Sequence, residues 1–135
     1  MNDEFVEARL VPELTVQNLQ ESLKFYIDLL EFKIVYRRPE NLFAYIERQG
    51  AQMMLEQQNG NWEVADLHRP FGRGINFQLV TQNIVELHQK LTNNGVVFFK
   101  NIHTKTYRTD ESECQVTQFL LQDPDGYLLR FLEEH

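Results

Sequence analysis

Two stretches of the chain share one pattern of apolar and polar positions. In each, an alternating, strand-like segment leads into a helix-like segment, and five positions of the first stretch recur 65 residues later. The matched positions are Leu14, Gln17, Asn18, Leu19 and Glu21 in the first stretch, and Leu79, Gln82, Asn83, Ile84 and Glu86 in the second. The repeat predicts two copies of one folding unit.

Each copy contains one predicted helix. Apolar residues at the helical period predict the first helix over residues 19–30 and the second over residues 84–94. Two residue pairs have the spacing of a capping box, and they are Asn18 with Glu21 and Asn83 with Glu86. We therefore expect an asparagine to cap each helix.

Three predicted strands follow each helix. They cover residues 32–36, 42–48 and 51–57 in the first copy, and residues 96–100, 113–122 and 127–133 in the second. The turn signals between strands are Gln49-Gly50 and Asp123-Pro124-Asp125-Gly126. With the strand before each helix, the order is β-α-β-β-β, used twice. Residues 101–112 are predicted as a polar, mobile loop.

These elements predict one domain, residues 1–135, built from two modules. The first module covers residues 8–58, the linker residues 59–73, and the second module residues 74–134. Because side chains alternate across a strand, each sheet has a second face that points away from its helix. On the two sheets together, these second faces carry Glu13, Gln52, Met54, Glu56, Asn76, Gln78 and Arg130. Phe43 and Tyr45 join them if Gln49-Gly50 is a two-residue hairpin loop. Each face is either a solvated sheet face or the wall of a cleft.

Charge and cysteine content narrow the classes of function. The chain has 13 Lys and Arg against 20 Asp and Glu, a net charge of -7, which argues against nucleic-acid binding and against a polybasic membrane surface. No targeting or membrane-spanning segment is visible. A single cysteine, Cys114, excludes an internal disulfide and favours a cytoplasmic location. We expect Cys114 to be a small buried residue and His88 a semi-buried packing residue.

Three segments of the chain resemble the vicinal oxygen chelate superfamily of glyoxalases, ring-cleaving dioxygenases and bleomycin resistance proteins. LVPELTVQNLQESLKFYIDLLEF resembles the start of bleomycin resistance proteins, QGAQMMLEQ the fourth strand of the first module, and FLLQDPDGYLLRFLEE the closing hairpin. The resemblance implies an α+β fold in which two βαβββ modules form paired curved mixed sheets around a cleft. It departs at Glu31, where the superfamily usually ends the first helix with glycine, so this residue is expected in a left-handed cap or at a different helix end.

Metal-dependent members of the superfamily bind one divalent ion through four residues. The matching positions here are Val11, Met54, Asn76 and Arg130. Valine has no donor atom, methionine is too soft for an ion with oxygen ligands, and arginine has the wrong charge. We therefore predict no metal and no other cofactor, and expect Arg130 to pair with Glu56 or Glu13, within the chain or across a dimer.

The resemblance implies a metal-free, small-molecule-binding protein of the bleomycin resistance type, a cytoplasmic homodimer that sequesters a cationic or aromatic drug. The negative net charge would steer a cation. The predicted ligand-binding residues are Phe43, Tyr45, Met54, Glu56, Asn76, Gln78, Arg130 and Trp62, with no catalytic residue. A metal-dependent glyoxalase-like lyase or dioxygenase with an altered site, and an interaction module without a small ligand, remain as alternatives. Where drug-binding members commonly have Pro-Trp-Gly, this chain has Cys114-Gln115-Val116.

Overall fold

The first unit of the protein ends at Arg69 and contains one helix and one mixed sheet. The computed structural model describes residues 5–135. The elements of this unit are β1 (Glu13–Val16), α1 (Leu19–Leu23) continued by a π-helical segment (Lys24–Leu29), β2 (Lys33–Arg38), a 3-10 turn (Pro39–Asn41), β3 (Phe43–Arg48) and β4 (Ala51–Gln57). The strand order is β1-β4-β3-β2, and only β1 and β4 run parallel.

The second unit, Pro70–His135, repeats this plan. Its elements are β5 (Asn76–Val80), α2 (Ile84–Asn93), β6 (Lys100–Thr109), β7 (Ser112–Gln122) and β8 (Leu128–Glu134). The strand order is β5-β8-β7-β6, with β5 and β8 parallel and the other pairs antiparallel. The predicted α+β fold of two βαβββ modules is confirmed by this element order.

Each unit has an apolar core built from its helix and the inner face of its sheet. The fully buried residues of the first core include Leu14, Val16, Tyr26, Leu30, Ile46 and Leu55. The second core includes Leu79, Leu87, Leu91, Phe119, Leu129 and Phe131. Aromatic stacking of Phe119 on Phe131, with ring centroids 5.5 Å apart, packs two neighbouring strands of the second sheet.

The first helix ends in a way that the sequence anticipates in part. Its last turn widens to π-helix, with the Leu30 amide donating to the Phe25 carbonyl, five residues back. Glu31 follows with φ +66°, the left-handed conformation expected where the superfamily has glycine. Arg48 holds this end: its Nε–H donates to the Leu30 carbonyl at 2.7 Å, and its Nη2 lies 3.2 Å from Glu31 Oε1.

The two predicted capping boxes have different outcomes. The Asn18 side chain accepts from the Glu21 amide at 3.0 Å, so the first cap is confirmed. The second is wrong, because Asn83 makes no side-chain cap. A carboxylate oxygen of Glu133, on β8, accepts instead from the Ile84 amide at 3.1 Å, which ties the start of α2 to the last strand.

The predicted loop over residues 101–112 is also wrong. This segment forms most of β6 and a two-residue turn, and β6 pairs with β7 from Lys100↔Leu120 to Thr109↔Ser112. The predicted strand over residues 96–100 is absent except for its last residue. Polar side chains on both faces hid this hairpin, although threonine and tyrosine within it favour strands.

None of the helical segments in the described part of the chain has the length and apolar character of a membrane span.

Candidate functional site

The face of the first sheet that points away from its helix has the predicted register. Gln49-Gly50 is a two-residue hairpin loop in which both residues have positive φ. Phe43 therefore pairs with Glu56, and Tyr45 with Met54. All four predicted ligand-binding residues of the first module lie on one face.

The aromatic part of this face is filled by the protein's own side chains. Phe43 and Tyr45 are 1% and 0% exposed. The Tyr36 ring stacks on Tyr45 with centroids 5.2 Å apart, and Phe5 meets the same ring edge to face at 5.6 Å. The Arg38 guanidinium carbon lies 3.9 Å from the centre of the Phe43 ring, a cation–π contact. These rings are therefore core-like in this structure.

Gln52 links the N-terminal segment to this sheet by hydrogen bonds. Its Oε1 accepts from the Ala8 amide at 2.8 Å and from the Tyr45 hydroxyl at 2.5 Å. Its Nε2 donates to the Val6 carbonyl at 2.7 Å and to Glu47 Oε2 at 3.3 Å. All of the amide's hydrogen-bonding capacity is used inside the first unit.

Two groups on this face have raised pKa values. Partial burial, and after it the neighbouring Glu56 carboxylate, raise the pKa of Glu13, while the Arg38 guanidinium opposes the shift. Burial is the main cause that raises the pKa of the Tyr45 hydroxyl. The face therefore disfavours additional negative charge.

The corresponding face of the second sheet is buried at Val116, Gln118 and Leu132, each 3% exposed, and exposed at Asn76, Gln78 and Glu134. A pocket of about 350 Å³ lies on it, within the size range of small-molecule sites. Its walls come from all four strands of the sheet: Gln78, Tyr107, Thr109, Cys114, Val116, Arg130, Leu132 and Glu134. Val116 and Leu132 supply an apolar surface between charged and polar groups.

Arg130 lines this pocket and is hydrogen-bonded to Asn76. The Arg130 Nε–H donates to Asn76 Oδ1 at 3.0 Å. In the part of the chain that the structure describes, no carboxylate of the second unit forms an ion pair with Arg130. The expected pairing with Glu56 or Glu13 joins residues of different units and stays a prediction. The terminal nitrogens of the guanidinium are thus the groups that the arginine offers to a ligand.

The hydrogen bond between Arg130 and Asn76 also bears on whether this chain could bind a metal ion. Asn76 and Arg130 match two of the superfamily's four metal-ligand positions, and here the asparagine oxygen already accepts from a guanidinium. Val11 precedes β1 and Met54 lies on β4, so the first unit adds no oxygen or nitrogen side-chain ligand at its matching positions. Within residues 5–135, no group of three or more His, Cys, Asp or Glu side chains is placed to hold a metal. The residues present do not fit a divalent ion.

Next to the pocket, Gln118 forms the centre of a part-buried hydrogen-bond chain. His103 Nδ1 lies 2.7 Å from the Asn101 carbonyl, which can only accept, so Nδ1 is the donor in this contact and Nε2 is the ring nitrogen that faces Gln118. Gln118 Nε2 donates to this Nε2 at 3.0 Å and to the Tyr107 hydroxyl oxygen at 2.8 Å. Because the Tyr107 hydroxyl oxygen accepts from Gln118, its own proton is available to another acceptor. Tyr107 also lines the pocket.

The other end of the Gln118 amide is unusual. Gln118 is 3% exposed, and its Oε1 has no hydrogen-bond partner among the described residues. Leaving a buried acceptor unpaired costs about 1–3 kcal/mol. Its cross-strand neighbour Leu132 and its partner Tyr107 both line the pocket.

A second pocket, of about 440 Å³, lies beside α1 on the first unit. Two of its polar groups are already used, because Asn18 and Gln57 accept from the first-turn amides of Glu21 and Leu19. Arg37 is its one charged lining residue. We regard it as the weaker candidate.

Among the predicted ligand-binding residues, Gln78 and Arg130 line the second-sheet pocket, and Asn76 positions Arg130. Trp62 is 67% exposed in the segment between β4 and β5. The prediction missed Tyr107, Thr109, Leu132 and Glu134, and it described Cys114 as simply buried, although it is half-buried in the pocket wall. His88 has the expected packing role, stacked on Phe98 at 4.8 Å. Alternation of His103, Lys105, Tyr107 and Thr109 along one face was the signal available for the hairpin.

Comparison with known families identifies the family of this chain. The family model for the glyoxalase-domain-containing protein 4-like, C-terminal domain matches residues 18–135. The chain belongs to this glyoxalase-domain family. The resemblance to the glyoxalase, bleomycin resistance protein and dioxygenase superfamily is thereby confirmed.

Several solved structures are similar to this chain. A glyoxalase/bleomycin resistance protein/dioxygenase superfamily member from Vibrio splendidus 12B01 is 31% identical, over 93% of this chain and 97% of that one, with a TM-score of 0.44. A virulence protein of Salmonella typhimurium is 20% identical over 96% and 98% of the two chains, with a TM-score of 0.68. A glyoxalase/bleomycin resistance protein/dioxygenase from Alicyclobacillus acidocaldarius is 20% identical over 93% and 92%, with a TM-score of 0.62. No curated protein sequence matches the chain significantly.

Proposed function

We propose that this glyoxalase-domain protein binds a small organic molecule without a metal ion, in the pocket on its second sheet. The observation that supports this most strongly is the hydrogen bond from Arg130 to Asn76, because it puts a guanidinium where metal-dependent relatives would need a ligand. A fixed cation on Asn76 opposes a divalent ion electrostatically and uses the oxygen that would have bound it. The pocket beside it has room for a ligand of moderate size.

The ligand class follows the resemblance to bleomycin resistance proteins. A net charge of -7 would draw a cationic, aromatic molecule toward the protein and raise its association rate. Sequestration of such a drug needs binding alone. We place the protein in the cytoplasm, and connect it with antibiotic resistance, on the same grounds.

We further propose that the protein is a homodimer. β5 is an edge strand of its sheet, and the apolar side chains of Ile75, just before the strand, and Val80, its last residue, are 55% and 47% exposed. An edge strand with exposed apolar flanks favours pairing with another chain. Light scattering of the purified protein should give about twice the chain mass, and a monomer mass would contradict this part of the proposal.

A binding screen tests the function. The protein is held in a buffer with a strong chelator, and cationic aromatic compounds and organic acids are added singly while thermal unfolding is followed. A ligand at one hundred times its Kd should add about 2.7 kcal/mol to the free energy of unfolding. Stabilisation that persists in chelator supports the proposal. Stabilisation that appears only with an added divalent ion would favour a metal-dependent lyase or dioxygenase, and no stabilisation by any compound would favour an interaction module.

A further inference from the structure

Two opposite charges lie in one pocket of the second sheet. Arg130 and Glu134 are four residues apart on β8, so both side chains point to the same face, with Cα atoms about 13 Å apart. Because Arg130 uses its Nε for Asn76, its two terminal nitrogens remain to bind an oxyanion side by side. Glu134 is exposed and offers acceptor oxygens only.

The groups between the two charges match a ligand with an apolar middle. Val116 lies directly opposite Glu134 on β7, and Leu132 lies between the charged residues on β8. The side chains of both residues form part of the pocket wall. The Tyr107 hydroxyl is held as an acceptor by Gln118, so it has a proton to donate to a ligand. The hydroxyl lies at Gln118, which pairs with Leu132, so this donor stands between the two charged residues.

We propose that the second-sheet pocket recognises a bifunctional molecule, with a carboxylate or another oxyanion bound by Arg130 and a cationic amine bound by Glu134. This inference rests on the proposed function and names the ligand class of the same site. The oxyanion accepts from the two terminal guanidinium nitrogens. The amine donates to the Glu134 carboxylate, and the connecting chain spans the pocket wall to which Val116 and Leu132 contribute.

The arrangement also explains why a strongly acidic protein keeps an arginine in its pocket. The net charge attracts the amine end from solution, while Arg130 selects among the cations that arrive. A plain cation would leave the guanidinium without an anionic partner. Specificity would then come from the oxyanion and the rate of association from the amine.

The test uses ω-amino carboxylates of increasing chain length, with alkanoates and alkylamines of matching length. Binding to the full-length protein is followed by ¹H–¹⁵N NMR, which gives both the Kd and the strands whose amides shift. The best ω-amino carboxylate should bind about tenfold or more tightly than either monofunctional analogue, with shifts on β7 and β8.

Matched variants separate the two charges. Arg130→Gln should remove the advantage that the carboxylate gives, and Glu134→Gln the advantage that the amine gives. Arg108→Gln and Glu113→Gln make the same charge changes on the opposite face of the hairpin, and both should bind like wild type.

The outcomes distinguish this inference from the proposed function. If cationic aromatic compounds shift the β7 and β8 amides but ω-amino carboxylates bind no better than alkylamines, the bifunctional ligand class is overturned and the binding function stands. The same conclusion follows if Arg130→Gln leaves the preference unchanged. If no compound of either kind shifts these amides, the binding function fails, and this inference fails with it.

Discussion

The end of the first helix rests on one buried arginine. Arg48 is 3% exposed, and its Nε–H reaches the Leu30 carbonyl at 2.7 Å. Burial lowers the pKa of its guanidinium, and the Glu31 carboxylate opposes that shift. We predict that Arg48→Met, which keeps most of the apolar stem, destabilises the first unit because the carbonyl loses its charged donor.

The magnitude follows from these contacts. A hydrogen bond from a charged donor contributes about 1.5–3 kcal/mol, and the half-exposed ion pair with Glu31 adds at most about 1 kcal/mol. The expected loss is therefore about 2–4 kcal/mol, or a fall in Tm of roughly 6–12 °C for a chain of this size. Arg37→Met removes an exposed arginine of the same unit and should change stability by less than about 0.5 kcal/mol.

Chemical and thermal unfolding of these variants, followed by circular dichroism, provide the assay. Glu31→Gly makes the reasoning sharper, because it relieves a left-handed residue, about 1 kcal/mol, while losing the ion pair. Its Tm should equal or exceed that of wild type. A Tm for Arg48→Met within 2 °C of wild type would refute the role of the arginine. An equal fall for Glu31→Gly would show that the ion pair, and not the carbonyl contact, holds the helix end.

Two further predictions concern a titrating carboxyl group and a tight turn. The raised pKa of Glu13 means that its neutral form is favoured on folding, so its stabilising contribution is present below its ordinary pKa of 4.5 and is lost as pH rises through the raised value. Glu13→Gln should therefore unfold at a higher Tm than wild type at pH 7 and at the same Tm at pH 3.5, and an unchanged difference across this range would contradict the assignment. Gly126 has φ +100°, and an added Cβ would lie 2.6 Å from Cα of Pro70, so Gly126→Ala should cost about 2 kcal/mol or more in urea unfolding. Gly95→Ala, also at positive φ but with open space around it, is the matched control and should cost less.

The repeated pattern was enough to predict the element order, because it records the constraints of two helix-on-sheet cores. Leu14 and Leu79 are buried in the same place in each unit, and the tight Gln49-Gly50 loop fixed the register of Phe43 and Tyr45. The cap predicted from local spacing at Asn83 is absent, because Glu133, on β8, accepts from the Ile84 amide instead. Sequence spacing cannot show a partner that comes from tertiary structure.

The candidate site was predicted in part, for a physical reason. Arg130 was found because strand parity and the superfamily's ligand positions both point to it, and Gln78 because of strand parity alone. Tyr107 and Thr109 were missed because a polar hairpin lacks the apolar alternation that marks a half-buried strand. The burial of Phe43 and Tyr45 depends on Tyr36 and other neighbours across the sheet, which residue type alone does not reveal.

The central claim is that the pocket of this glyoxalase-domain protein works through Arg130 and without a metal ion. It is tested most directly by elemental analysis of tag-free protein that has never met a chelator, followed by calorimetric titration with Ni²⁺, Mn²⁺ and Zn²⁺. The account predicts no divalent ion in stoichiometric amount and no saturable binding in the titration. One ion per chain, lost when Asn76 is replaced by alanine, would contradict it.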